Sequence, residues 1–130
     1  GYGITSDKEL IDKMYDAGQP WNVSVLAQNA GIAALDEDKF AADTVSLISK
    51  EREFICTNFQ RMNIKYWESG ANYIFFMHKK GLKEELLNRG ILIRDCSNYK
   101  NLTDGYYRIA IKSHKDNVIL IDALADIDIN

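Results

Sequence analysis

The spacing of apolar residues changes near the middle of this chain, and the change divides the elements it predicts. In the first half apolar positions recur at helical intervals. Leu10, Ile11 and Met14 form one side of a short helix that Gly18 stops. Ser6 and Glu9, in S-x-x-E spacing, predict a capping box at its start. Residues 19–22 read as a loop carrying the only proline, Pro20. Residues 23–35 (VSVLAQNAGIAAL) read as a second helix whose small residues permit close backbone approach. Asp36 is placed to cap a third. There Phe40, Val45, Leu47, Ile48, Phe54, Ile55, Phe59 and Met62 give a helix of roughly 26 residues, or ~39 Å.

The second half is richer in aromatic and β-branched residues. Residues 64–67 and 71–77 read as two strands, or one interrupted, around Glu68-Ser69-Gly70. Residues 82–88 form a short amphipathic helix ended by Gly90. A strand at 91–94, a polar loop at 97–105 and a strand at 106–112 follow. Ser113, with Asp116 three positions on, starts a last helix with Val118, Ile121 and Leu124 as its apolar stripe. Helices first, then β-β-α-β-β-α, predicts an α+β fold, a two-layer α/β arrangement. In it long N-terminal helices precede a small, mostly antiparallel sheet with helices on one face. The domain boundary is drawn inside the long helix, near residues 46–52, separating 1–48 from 49–130.

Composition narrows the function classes. A chain of 130 residues with 46% hydrophobic content holds one domain, or one lobe plus a piece of another. A net charge of −3 with scattered basic residues speaks against nucleic acid as the main partner. No apolar run approaches the ~20 residues of a membrane span, and no signal peptide is visible. Cys56 and Cys96 lie far apart without CxxC spacing, so neither a zinc knuckle nor a redox pair is expected, and two free thiols fit a reducing cytoplasm. The chain begins Gly1-Tyr2-Gly3, not Met, and runs straight into an ordered-looking segment. Gly1 is therefore expected to be an internal cut point of a longer protein, a removed tag being the plainer alternative.

The chemistry-bearing residues are few. There is no Gly-rich phosphate loop, no HExxH and no serine elbow. His78 and His114 are isolated, and surface or capping roles are the plainer reading of each. Cys56 reads as a small core residue. Cys96, after a charged strand end, either packs or lies near a site. Arg94 and Arg108 stand out because each adjoins apolar strand residues, where a charge is costly without a partner. Arginine is suited to gripping a carboxylate or phosphate through two parallel hydrogen bonds. Simple alternation, with Arg108 turned to solvent, stays open beside that reading.

Two stretches carry a resemblance. Gln19-Pro20-Trp21-Asn22-Val23-Ser24, running on to Leu26-Ala27-Gln28, Ala30 and Ala33-Ala34-Leu35, resembles the PWNV…AQ.A…AL segment of class I/II (fold type I) pyridoxal-phosphate-dependent aminotransferases. Residues 90–99 (GILIRDCSNY), with Tyr107-Arg108-Ile109-Ala110-Ile111 and Asp116-Asn117, resemble the C-terminal lobe of that superfamily. The IRDCSNY form is most similar to the threonine-phosphate decarboxylase and histidinol-phosphate aminotransferase group. The resemblance covers essentially the whole chain.

The resemblance implies a small domain at 49–130 and, at 1–48, a remnant of the large cofactor-binding domain plus an interdomain helix. It implies that Arg108 binds the substrate carboxylate. Arg94, fourteen positions earlier, becomes a second anion contact, for substrate phosphate or carboxylate. Asn22 falls in a loop that approaches the active site or the dimer partner. Gly1-Tyr2 matches the end of a Gly-x-Arg-x-Gly-Tyr stretch that follows a Ser-x-x-Lys motif. The Schiff-base lysine, the arginine for cofactor phosphate and the aspartate for the pyridine nitrogen would then precede residue 1. None of the eleven lysines here has an equivalent context. Pyridoxal 5'-phosphate is thus expected in the parent protein and not bound to this fragment, with no catalytic residue and no metal site in it. The parent is expected to be a cytoplasmic homodimeric enzyme, either aminotransferase or amino-acid-phosphate decarboxylase, acting on an amino acid or its phosphate. The fragment alone is expected to be inactive and, with Trp21, Val25, Leu26 and Ile32 uncovered, to self-associate. A free-standing, non-catalytic binding or regulatory module built on the same lobe is the alternative.

Overall fold

Helices begin where a side chain can accept the first free backbone N–H groups. In this computed structural model, which describes residues 3–129 (the last two by backbone alone), Asp7 does so for α1 (Lys8–Ala17). Its carboxylate accepts from the Leu10 N–H at 3.2 Å. The predicted Ser6–Glu9 box is therefore replaced: the cap lies one residue later, and Glu9 pairs with Lys13 at 2.7 Å instead. Ser24 starts α2 (Val25–Leu35), its hydroxyl accepting from the Ala27 N–H at 3.2 Å. Asp36 does not cap the third helix as expected. It has helical dihedrals and closes α2, donating its N–H to the Ala33 and Ala34 carbonyls. The long helix, α3 (Asp38–Arg61), has 24 residues, two fewer than its apolar spacing suggests. Gly1 and Tyr2, which carry the end of the Gly-x-Arg-x-Gly-Tyr resemblance, lie outside the described residues, as does Asn130.

The chain divides into two compact units, Gly1–Phe40 and Ala41–Asn130. In the first, neither α1 nor α2 has a buried residue. Trp21, Val25, Leu26 and Ile32 are all exposed, Trp21 at 95%.

The second unit holds the sheet. Its strands are β1 (Lys65–Trp67), β2 (Tyr73–Met77), β3 (Arg94–Asp95) and β4 (Tyr106–Ala110), in the order β1-β2-β4-β3 with every pairing antiparallel. Helix α4 (Leu82–Leu87) lies between β2 and β3 in sequence, and α5 (His114–Ile129) follows β4. The strand predicted at 91–94 is shorter and begins later. Gly90, at φ 77°, turns the chain so that the Ile91 N–H bonds the Leu86 carbonyl at 2.9 Å. That use of the backbone closes α4 and delays strand pairing until Arg94. Gly105 is a second position where glycine is required. Its φ is 95°, and a Cβ there would stand 2.8 Å from the His78 carbonyl oxygen.

Strand alternation sorts the sheet into two faces. Ile74 and Phe76 of β2 and Tyr107 and Ile109 of β4 are buried. They pack with Ile55 and Phe59 of α3, Leu82 and Leu86 of α4, and Leu120, Ile121, Leu124 and Ile127 of α5 in one core. The helices thus share one face of a small antiparallel sheet, the expected α+β arrangement. The buried stripe of α5 includes Asn117 and Leu120, while the predicted Val118 is only half-buried.

Asn117 explains how the last helix is fixed. Its side chain donates to the Glu51 carboxylate at 2.9 Å and to the Lys112 carbonyl at 3.0 Å, and accepts from the Lys112 N–H at 3.1 Å. The Glu51 side chain is buried, so it needs these donors. His114 Nδ1 adds a contact at 3.1 Å. The Asn117 hydrogen bond, foremost, and the neighbouring His114 hold the Glu51 carboxyl below the ordinary glutamate range, against the opposing effect of burial.

Candidate functional site

β4 presents Tyr107 and Ile109 to the helices, so Arg108 falls on the other face. Register sets its neighbours there. Arg94 of β3 is directly opposite Arg108, and Phe75 of β2 is opposite it on the other side. Like charges at directly opposed strand positions repel, so the fold gains nothing from this pair by itself. An anion between them removes that repulsion.

Each arginine is positioned by neutral groups. The Arg108 guanidinium lies over the Tyr73 ring, 4.6 Å from its centroid. Tyr73 pairs with Ala110, two residues along β4, so the contact is the diagonal one that strand geometry favours. Arg94 donates from Nη2 to Asn98 Oδ1 at 3.2 Å and lies 5.6 Å from the Tyr99 ring centroid. Among the described residues neither arginine forms an ion pair.

Both arginines line an open groove of about 490 Å³, together with Tyr73, Lys83, Leu92 and Asp95 among others. Asp95 is turned to its own turn, its Oδ1 accepting from the Ser97 N–H at 2.8 Å. That bond and the Ser97 hydroxyl, helped by Lys83 and Arg94, hold its carboxyl below the usual range. Cys96 is fully buried, and burial pushes its thiol up despite the nearby arginines, so it is a packing residue. The groove therefore offers cationic donors with unfilled valence, which suits an anion, and the buried Cys96 thiol is no part of it.

Arg94 and Arg108 are brought together; Asn22 belongs to the other compact unit. There it is exposed, its amide beside Gly18, where a Cβ would stand 3.0 Å from Asn22 Nδ2. Tyr73 and Lys83 carry no signal of their own in the sequence. Tyr73 follows once the β2–β4 register is known, and Lys83 depends on how α4 docks. Among the described residues no group of three or more His, Cys, Asp or Glu side chains is placed to hold a metal ion. No described helix is long and apolar enough to cross a membrane.

Comparison with known proteins gives this site a context. The sequence profile described as aminotransferase class I and II matches residues 1–124. A putative threonine-phosphate decarboxylase of Caldanaerobacter subterraneus is 33% identical over an alignment of 129 positions that covers 95% of this chain and 35% of that protein. A histidinol-phosphate aminotransferase of Methanosphaera stadtmanae is 31% identical over 98% of this chain and 36% of its own. The crystal structure of the histidinol-phosphate aminotransferase from Clostridium acetobutylicum superposes with a TM-score of 0.90, at 29% identity, covering 97% of this chain and 40% of that one. The chain thus spans about a third of the length of the curated relatives it matches. With the profile matched over nearly all its length and the same fold in a solved relative, this chain belongs to the aminotransferase class I and II family.

Proposed function

We propose that this chain supplies the substrate-carboxylate clamp of a pyridoxal-phosphate-dependent aminotransferase or amino-acid-phosphate decarboxylase. Arg108 is the carboxylate-binding residue, Arg94 a second anion contact, and Asn22 part of an active-site or dimer loop. Residues 49–130 form the small domain. Residues 1–48 are a remnant of the large domain with the interdomain helix, a division drawn inside the same helix as the Phe40/Ala41 break. The observation that carries this reading is the opposition of Arg94 and Arg108 across β3 and β4, without ion-pair partners among the described residues, in a groove that Tyr73 helps shape.

The family implies pyridoxal phosphate, which when bound supplies an electron sink for the bonds at a substrate's α-carbon. The described residues do not by themselves fit that group. Ten of the eleven lysines are exposed, and the eleventh, Lys83, lies in the arginine groove instead of an enclosed pocket. On this proposal the cofactor is held by other parts of a longer, homodimeric, cytoplasmic protein, and these residues only bind and orient the substrate. An amino acid or amino-acid phosphate is the substrate class, a reading supported by the name of the threonine-phosphate decarboxylase relative. Fixing the carboxylate fixes which α-carbon bond faces the cofactor, so the clamp acts on the outcome through orientation.

The test is Arg108→Ala in the full-length protein. A lost charge-assisted clamp of about 3 kcal/mol lowers kcat/KM by two or more orders of magnitude and raises KM. An unchanged kcat/KM removes Arg108 from the site.

A further inference from the structure

Lysine is an exposed residue throughout this chain with one exception. Ten of its eleven lysines are exposed, and Lys83 alone is half-buried. An ammonium group is strongly hydrated, so a lysine drawn into a groove wall calls for a reason. Lys13, Lys79 and Lys80 each pair with a carboxylate at 3.1 Å or closer. Lys83 forms no ion pair among the described residues. Its backbone is nonetheless fixed, because Leu82 beside it and Leu86 one turn on are both 0% exposed. Asp95, the carboxylate its charge reaches, already has Oδ1 engaged by the Ser97 N–H.

Charge in the groove is then unbalanced in a specific way. Lys83, Arg94 and Arg108 face a single lining carboxylate, Asp95. One substrate carboxylate leaves this excess only partly matched. A ligand with a second anionic group matches it, and Lys83 is the cation that neither neighbouring arginine contact accounts for.

We propose that Lys83 is a specificity-determining residue of this groove, holding a second anionic group of the substrate while Arg108 holds the carboxylate. The ligand class is a doubly anionic amino acid, whether its second group is a phosphate ester or a carboxylate. This inference rests on the carboxylate-clamp reading above.

The experiment measures binding to the full-length protein by calorimetry with three probes: O-phospho-L-threonine, L-glutamate and L-threonine. Lys83→Met weakens at least one doubly anionic probe by about 10-fold or more and leaves L-threonine within about twofold, as loss of one charge-assisted contact requires. Lys83→Arg retains the preference. Which of the two doubly anionic probes suffers more tells phosphate from carboxylate. Equal weakening of all three probes, or of none, makes Lys83 a structural residue and overturns the proposal. Arg108→Ala separates the two readings. If it weakens all three probes while Lys83→Met is silent, the clamp stands and Lys83 falls. If Arg108→Ala weakens none, the clamp fails and the Lys83 assignment fails with it.

Discussion

The two faces of the second unit's sheet are made by alternate residues of the same strands, yet they are built to different requirements. On the helix side Phe76 and Tyr107 are fully enclosed, with ring centroids 5.8 Å apart. Even the Tyr107 hydroxyl is satisfied there, donating to the Lys79 carbonyl at 3.0 Å. On the other side, one residue away along each strand, Phe75 and Arg108 share a row with Arg94. Burial and hydrogen bonding account for every residue of the first row. They do not account for two opposed arginines in the second. A like-charge pair that stability does not explain is where binding is the better explanation.

That contrast is tested most strongly by adjacent substitutions in β2. Phe76→Ala removes a ring that is 0% exposed and lies 5.1 Å from Phe59. A loss of about 3–5 kcal/mol is expected by equilibrium unfolding. Phe75→Ala, on the opposite face against Trp67 and Tyr106, is expected to cost about 1 kcal/mol. Arg108→Ala should likewise leave stability within about 1 kcal/mol while weakening carboxylate binding by about 100-fold. Equal losses at Phe75 and Phe76 would mean that both faces are structural.

Much of this division is legible in the sequence, for physical reasons that also mark where reading stops. Alternation through residues 106–110 separates Tyr107 and Ile109 from Arg108 without any structure, because strand side chains have period two. Ser113 as a cap is legible too, its hydroxyl accepting from the Asp116 N–H at 3.3 Å. The first cap is misread because Ser6 and Asp7 are both good caps, and only geometry selects Asp7. The opposition of Arg94 to Arg108 is beyond reading, since it depends on a register between strands joined by a ten-residue loop, Cys96 to Gly105. Glu51 escapes notice for a related reason. Nothing in the pattern of α3 distinguishes it from an exposed glutamate until Asn117, sixty-six residues later, is placed against it.

The Glu51–Asn117 contact makes the next prediction, smaller than the Phe76 effect and confined to the helix side. Asn117→Leu keeps the volume roughly but removes the donor to a buried carboxylate, at an expected cost of about 2 kcal/mol at neutral pH. The pH dependence has a definite sign. Glu51 has a lower pKa folded than its ordinary 4.5, so its stabilising contribution is present above that value. It is lost as pH falls through the lowered folded value, because the unfolded chain then takes up the proton first. Asp95 acts in the same direction through Ser97. Glu51→Gln should flatten the acid limb of a stability-against-pH curve measured by thermal unfolding. An unaltered limb would assign acid sensitivity to other carboxylates.

The smallest expected effect lies on the open face and asks how Arg108 is aimed. Its guanidinium has the Tyr73 ring beneath it at 4.6 Å. A cation over an aromatic face at a partly exposed site is worth about 0.5–1 kcal/mol. Removing the ring should therefore weaken carboxylate affinity by about two- to fivefold, since ~1.4 kcal/mol corresponds to tenfold. Tyr73 is only half-buried and opposes Ala110, so Tyr73→Leu should barely move the unfolding free energy. Tyr73→Phe keeps the ring face and should bind as the parent does, which separates the ring's effect from the hydroxyl's. If Tyr73→Leu lowered stability and left affinity unchanged, the Tyr73–Arg108 contact would belong with the packing of the helix side. The division between a face built for the fold and a face built for a ligand would then have to be drawn through Arg108 itself.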